Sequence, residues 1–192
     1  MIKSKDDLYY YLQQDAIMLD RPAKKPRFWH DEMWTYQILM RKCEYYINCR
    51  TDLLSRIHLK FLKFRFTRIG RMRGFQIPFN TFGPGLAIAH YGSIVVNKNA
   101  KIGKNCRIHE NTTIGANGYY SNKAPQIGDN VYIATGARII GEISIADNVV
   151  IGANAVVVKS ILEPGTTWAG VPAKKISDKD SQKYLVSQAS RE

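Results

Sequence analysis

Residues 127–162 read IGDNVYIATGARIIGEISIADNVVIGANAVVVKSIL, and an aliphatic residue opens each group of six: Ile127, Ile133, Ile139, Ile145, Ile151 and Val157. Six is neither the 3.6 of a helix nor the two of a strand. Within each hexad the second place is often Gly or Ala and the fifth is often small or Val. This is the pattern of a parallel β-helix, in which three short strands close one coil of about 18 residues and the opening aliphatic stacks inward on its counterpart one coil away. Adjacent coils are hydrogen-bonded strands ~4.8 Å apart. Asn105, Asn130, Asn148 and Asn154 suit corners that require positive φ.

The same beat runs upstream through Phe82, Ile88 and Ile94, then, after two extra residues, through Ile102, Ile108 and Ile114. Between Ile114 and Ile127 it is broken by ANGYYSNKAPQ, residues 116–126. A rigid scaffold needs no such insertion for stability, and long loops on regular scaffolds carry function. Asn117, Tyr119 and Tyr120 are therefore candidates for ligand contact, since tyrosine rings stack on sugars and their hydroxyls donate hydrogen bonds.

The first third has no hexad and reads as helical. Ser4 with Asp6 and Asp7 starts a helix running to about Ala16, and RPAKKP at 21–26 interrupts it. A second helix is expected from His30 to Asn48, and a third from Thr51 to Ile69, stopping near Gly70. Trp29 and Trp34 are expected in their core. The chain thus divides into a helical, basic segment (1–74), a mainly β unit carrying the coils (75–176) and a C-terminal tail (177–192).

The formal charge of +12 is concentrated in residues 1–74, which hold 16 Lys and Arg against 8 Asp and Glu, whereas residues 75–176 hold 9 against 5. The run RIHLKFLKFRFTRIGRMR suits an anionic membrane surface or an acidic glycan, and nucleic acid is not the expected partner. No stretch reaches the ~18 uninterrupted apolar residues of a membrane span, and acids stand where a secretory signal needs an apolar core. Cys43, Cys49 and Cys106 make an odd number without metal-like spacing, which suits a reducing compartment and a structural role. The expected location is the cytoplasm, at or near the inner face of the plasma membrane.

Two of the four histidines, His90 and His109, lie on the coils, three hexads apart and so on one face. Glu110 holds the same hexad position as His90 and should sit almost directly above it. A histidine oriented by a carboxylate is the arrangement a general base needs to take a proton from a hydroxyl. Zinc is not expected, because a catalytic site normally uses three protein ligands and the coils offer two histidines.

These features carry a resemblance. The stretches FGPGLAIAHYGSIVVNKNAKIGKNCRIHENTTIG (82–115), residues 127–161 of the repeat above and AGVPAKKI (169–176) resemble hexapeptide-repeat acyltransferases, in the serine acetyltransferase-like branch that includes capsule and exopolysaccharide O-acetyltransferases. The resemblance spans about residues 78–176. It implies a left-handed parallel β-helix, a homotrimer, and acetyl-CoA lying between neighbouring prisms. It implies His90 as the catalytic histidine, and contacts to CoA from Thr135, Ala153, Lys159 and Lys174. Lys159 and Lys174 also suit a phosphate by charge.

Two departures bear on the acceptor. Serine acetyltransferases place Asp directly before the catalytic histidine, where this chain has Ala89, and carry DIHP where it has FQIP (75–78). They place a second histidine where APQI (124–127) has Ala124. The expectation is therefore acetyl transfer to a sugar hydroxyl in surface-polysaccharide synthesis, with His90 as base, Glu110 orienting it and His109 holding the acceptor. Serine O-acetylation is the alternative, and a non-catalytic trimeric assembly module is the alternative of another class.

Overall fold

The computed structural model describes residues 1–21, 26–27, 31–118 and 123–185. Its coils have three faces. One stacks residues 75–76, 94–96, 112–115, 138–140 and 156–157; a second stacks 101–102, 126–127 and 144–145; the third stacks 87–88, 107–108, 132–133, 150–151 and 167–169. Every pairing between coils is parallel, and Lys174–Ser177 adds one antiparallel strand against Thr167–Ala169. On the third face Ile88, Ile108, Ile133, Ile151 and Trp168 are in register. The isoleucines of this column are fully buried, as the inward-stacking reading requires.

The two extra residues are not where the hexads alone place them. Val96, not Ile94, pairs with Ile114, while Ile94 pairs with Thr112 and Ile88 with Ile108. The surplus therefore lies between Ile88 and Ile94, so the corner carrying His90 is two residues longer than the corner beneath it. Asn105, Asn130, Asn148 and Asn154 have positive φ, joined by Asn80 and Asn111. Along one corner the Asn105 side chain donates to Asn130 Oδ1 at 2.9 Å and Asn130 donates to Asn148 Oδ1 at 3.0 Å, so a short amide ladder ties three coils.

Three helices close the N-terminal end: α1 (Lys5–Met18), α2 (Glu32–Cys49) and α3 (Leu53–Arg73). Ser4 caps α1 and Asp52 caps α3, each side chain accepting a backbone N–H of the first turn. Gly70 does not end α3; Gly74, with φ of 77°, does. Gly70 serves packing instead, since a Cβ there would stand 3.0 Å from the Phe75 carbonyl oxygen and 3.3 Å from the Tyr36 ring. Trp34 is buried as expected, and Trp29 lies outside the described residues.

An open coil exposes unpaired backbone groups, and α1 and α2 satisfy them. The buried Gln37 amide donates to the Leu86 carbonyl at 2.7 Å and accepts from the Ile88 N–H at 3.0 Å, in the manner of a further strand. Asp15 accepts from the N–H groups of Gly85 and Leu86, both at 2.8 Å. Arg41, fully buried, joins Asp15 at 2.8 Å and Glu44 at 3.1 Å, and donates to the carbonyls of Phe82 and Gly83. Burial works against its charge, and the Asp15 and Glu44 carboxylates more than offset that.

The thiols of Cys43 and Cys106 are buried, and that burial pushes each up to about 12, which suits inert packing. Among the described residues no helix is long and apolar enough to cross a membrane.

Candidate active site

The register of the third face determines what its exit corner displays. Because Ile88, Ile108, Ile133 and Ile151 are aligned, the residues two places on, His90, Glu110, Thr135 and Ala153, descend one corner coil by coil. The Gly136 N–H donates to the Glu110 carbonyl at 3.0 Å and the Asn154 N–H to the Thr135 carbonyl at 2.9 Å, which holds the corner turns in line. At ~4.8 Å per coil the column is ~14 Å long.

At its head, ligand-type atoms of His90, His109 and Glu110 all lie within 4.8 Å of one another. His90 is exposed; His109 and Glu110 are half-buried. The two imidazole rings are 5.3 Å apart, and His109 Nδ1 is 3.9 Å from Glu110 Oε2. The longer His90 corner rides over Glu110: Gly92 has φ of 133°, and a Cβ on it would stand 2.8 Å from Glu110 Cβ. The Thr112 hydroxyl fixes the turn below by donating to the His109 carbonyl at 2.8 Å.

Burial depresses the His109 pKa, and the neighbouring Arg107 and His90 add to this against the opposing pull of Glu110. The Glu110 carboxyl is held below its ordinary value, first by Thr135, whose hydroxyl also donates to the Glu110 carbonyl at 3.3 Å, and further by both histidines. The ground state is thus a neutral His109 beside an ionised Glu110. His109 Nε2 and Glu110 Oε2 are buried without a hydrogen-bond partner among the described residues. A donor or acceptor left so is costly unless something binds it. Two histidines and a carboxylate at this spacing are also a chemically competent donor set for a divalent cation, more than the histidine count alone suggested.

Sequence reasoning missed the neighbours. Below His109 the outward rings continue, with Tyr132 at 5.1 Å and Tyr184 stacked on Tyr132 at 4.7 Å. Tyr184 belongs to the described part of the tail, residues 177–185, which folds back over the coils through Ser181, bonded to the backbone of Asn130 and Asn148. Beside the histidines lies a cleft of about 170 Å³ whose polar lining is Arg21, Asp31 and Arg107, with Trp34 and Ala89 among its walls. Asp31 is engaged by Arg21 at 3.2 Å and by Arg27. Arg107 makes no salt bridge among the described residues, so the cleft carries a surplus positive charge. Arg107 shows as an ordinary outward basic residue in the sequence, two places before His109, and only the structure brings it to the cleft beside Arg21, Asp31 and Trp34.

The remaining candidates separate. Thr135 belongs to the cluster around Glu110, and Ala153 is exposed at the foot of the column. Lys159 and Lys174, fifteen positions apart in sequence, line one groove of about 270 Å³ with Trp168 and Pro172. Asn117 is exposed at the start of the insertion. Tyr119 and Tyr120 lie outside the described residues.

Residues 124–159 match the family model described as bacterial transferase hexapeptide (six repeats). The chain is 42% identical over 96 residues to a serine acetyltransferase of Staphylococcus epidermidis, covering 50% of this chain and 45% of that one. The chain spans about half the length of the curated relatives it matches. Among solved structures it is similar to the Brucella abortus serine acetyltransferase in complex with coenzyme A, with TM-score 0.64 and 26% identity over 91% of this chain and 68% of that one. It is also similar to the Neisseria gonorrhoeae enzyme in complex with serine, with TM-score 0.64 and 25% identity over 91% and 71% of the two chains. The fold is a left-handed parallel β-helix with an N-terminal helical segment.

The relatives overturn the expectation of a sugar acceptor and of polysaccharide synthesis, since they are serine acetyltransferases and one was solved with serine bound. Two of the departures that suggested a sugar have a definite place in the structure. Ala124 is 5% exposed and packs in the core, so its side chain faces no acceptor. Ala89 lines the cleft with Arg107 and Asp31, and Asp31 is the carboxylate on that wall, engaged by Arg21 and Arg27.

Proposed function

We propose that the protein is an acetyl-CoA-dependent O-acetyltransferase that acylates the hydroxyl of L-serine and works as a homotrimer. The observation that carries this is the position of the His90, His109 and Glu110 group at the head of a corner column that leads coil by coil past Thr135 and Ala153, in a fold like that of serine acetyltransferases. CoA would run down that corner, with its phosphates toward the groove of Lys159 and Lys174. The serine carboxylate would meet the surplus charge of Arg107 in the adjoining cleft.

In the reaction, His90 takes the serine hydroxyl proton as the oxygen attacks the thioester carbon. The tetrahedral intermediate collapses with cleavage of the carbon–sulfur bond, and the departing thiolate takes the proton back from His90. The products are O-acetylserine and free CoA thiol. Glu110 stabilises the imidazolium that forms on His90, and His109, kept neutral by burial, donates or accepts through its open Nε2.

The test is acceptor recognition. Arg107→Ala should raise KM for L-serine about tenfold or more with little change in kcat, since a charge-assisted contact of about 1.5–3 kcal/mol is removed. The wild-type enzyme should also prefer L-serine to its methyl ester, which lacks the carboxylate. Equal use of both acceptors, or an unaltered KM in the variant, would contradict the assignment.

A further inference from the structure

α3 has two apolar faces, and the fold uses one. Toward the body it presents Leu62, buried, and Leu59, Phe66 and Ile69, partly buried against the α2 side chains and Phe79. On the far side Leu54, Ile57, Phe61, Phe64 and Met72 are 56–79% exposed. The first four follow helical spacing of three and four residues, so they form one stripe nearly opposite the packed face. Lys60 and Arg65 flank this stripe, Arg68 and Arg71 continue it toward Met72, and Arg56 and Lys63 lie farther round, all exposed. The whole of residues 53–73 contains no Asp or Glu. At 1.5 Å per residue, the helix offers an edge ~31 Å long.

We infer that this edge of α3 lies flat on an anionic lipid surface, with the stripe set among the acyl chains near the headgroups and the cations on the headgroup phosphates. The charge decides among occupants. A second copy of α3 would bring two unbroken rows of cations together without an acid between them. A purely electrostatic complex with a polyanion would leave Phe61, Phe64 and Leu54 in water. A helix with Lys and Arg beside a Leu and Phe stripe satisfies both demands at a bilayer interface. This goes beyond the acetyl-transfer reading and stands without it.

The test uses the full chain with sedimenting vesicles, one set of phosphatidylcholine alone and one carrying about 30% phosphatidylglycerol. The protein should sediment with the anionic set and stay in the supernatant with the neutral one. The bound fraction should fall at least about fivefold when salt rises from about 0.1 to 0.5 M. It should fall at least as far in the double variant Phe61→Ser, Phe64→Ser, whose exposed positions leave the fold and acetyl transfer unchanged. No binding to anionic vesicles, equal binding to neutral ones, or undiminished binding by the variant would overturn the inference. A smaller particle mass for the variant in light scattering would also overturn it, because the stripe would then be a contact between subunits.

Discussion

His109 Nδ1 stands 3.9 Å from Glu110 Oε2, a separation of ion-pair range that is too long for a hydrogen bond, and His109 is nonetheless held neutral because its burial outweighs the carboxylate. The sign of the consequence is fixed. With its folded pKa below the ordinary ~6.5, the unfolded chain binds more protons in that window, so this group removes stability as pH falls through ~6.5. Glu110, also depressed, acts in the same direction only at lower pH, below the ordinary carboxylate value. His109→Gln should therefore lose Tm less steeply than wild type between about pH 7 and pH 5. Melting curves across that range, compared between the two proteins, check it.

Gly92 should tolerate no side chain. An alanine there combines a φ of 133° with a Cβ 2.8 Å from Glu110 Cβ, so the His90 corner must shift relative to Glu110. A displacement near 1 Å at a reacting group costs on the order of a hundredfold. Gly92→Ala should lower kcat by about that factor while the protein remains folded, as seen by circular dichroism and steady-state kinetics on one preparation.

The lysine groove should hold phosphate by charge. Lys159 and Lys174 are exposed, so each contributes modestly, about 0.2–1 kcal/mol in the manner of exposed ion pairs. Replacing both by alanine should weaken CoA about fivefold and flatten its salt dependence, measured by calorimetry at two ionic strengths.

Arg41 should be the costliest residue to truncate in the helical cap. Arg41→Ala leaves Asp15 and Glu44 buried without their cation, and removing one partner of a buried pair costs about 3–5 kcal/mol. Urea unfolding should show a loss of that size, whereas Lys104→Ala, at an exposed 3.9 Å pair, should change little.

The repeated aliphatic made the coils legible, because a stack of Ile88, Ile108, Ile133 and Ile151 leaves the same mark every coil. Legibility failed where two residues could serve equally. Ile94 and Val96 are both buried, so either could open the hexad that pairs with Ile114, and counting sixes puts the two extra residues after Ile94 where the structure has them before it. Gly70 was read as a stop because glycine serves both to end helices and to admit close packing. The His90 and Glu110 alignment followed from the count, but Arg107, Tyr132 and Tyr184 did not stand out. Outward polar residues are ordinary on a solenoid, and nothing in the beat announces that Ser181 and Tyr184 fold back across it. Arg41 and Asp15, 26 positions apart, show no pairing in sequence.

If His90 is the base for serine acetylation, release of CoA thiol from acetyl-CoA with L-serine should separate wild type from His90→Ala. Thiol release should depend on L-serine and fall by about a hundredfold or more in the variant, with CoA binding retained. Thiol release that ignores L-serine, or that survives in His90→Ala, would contradict it.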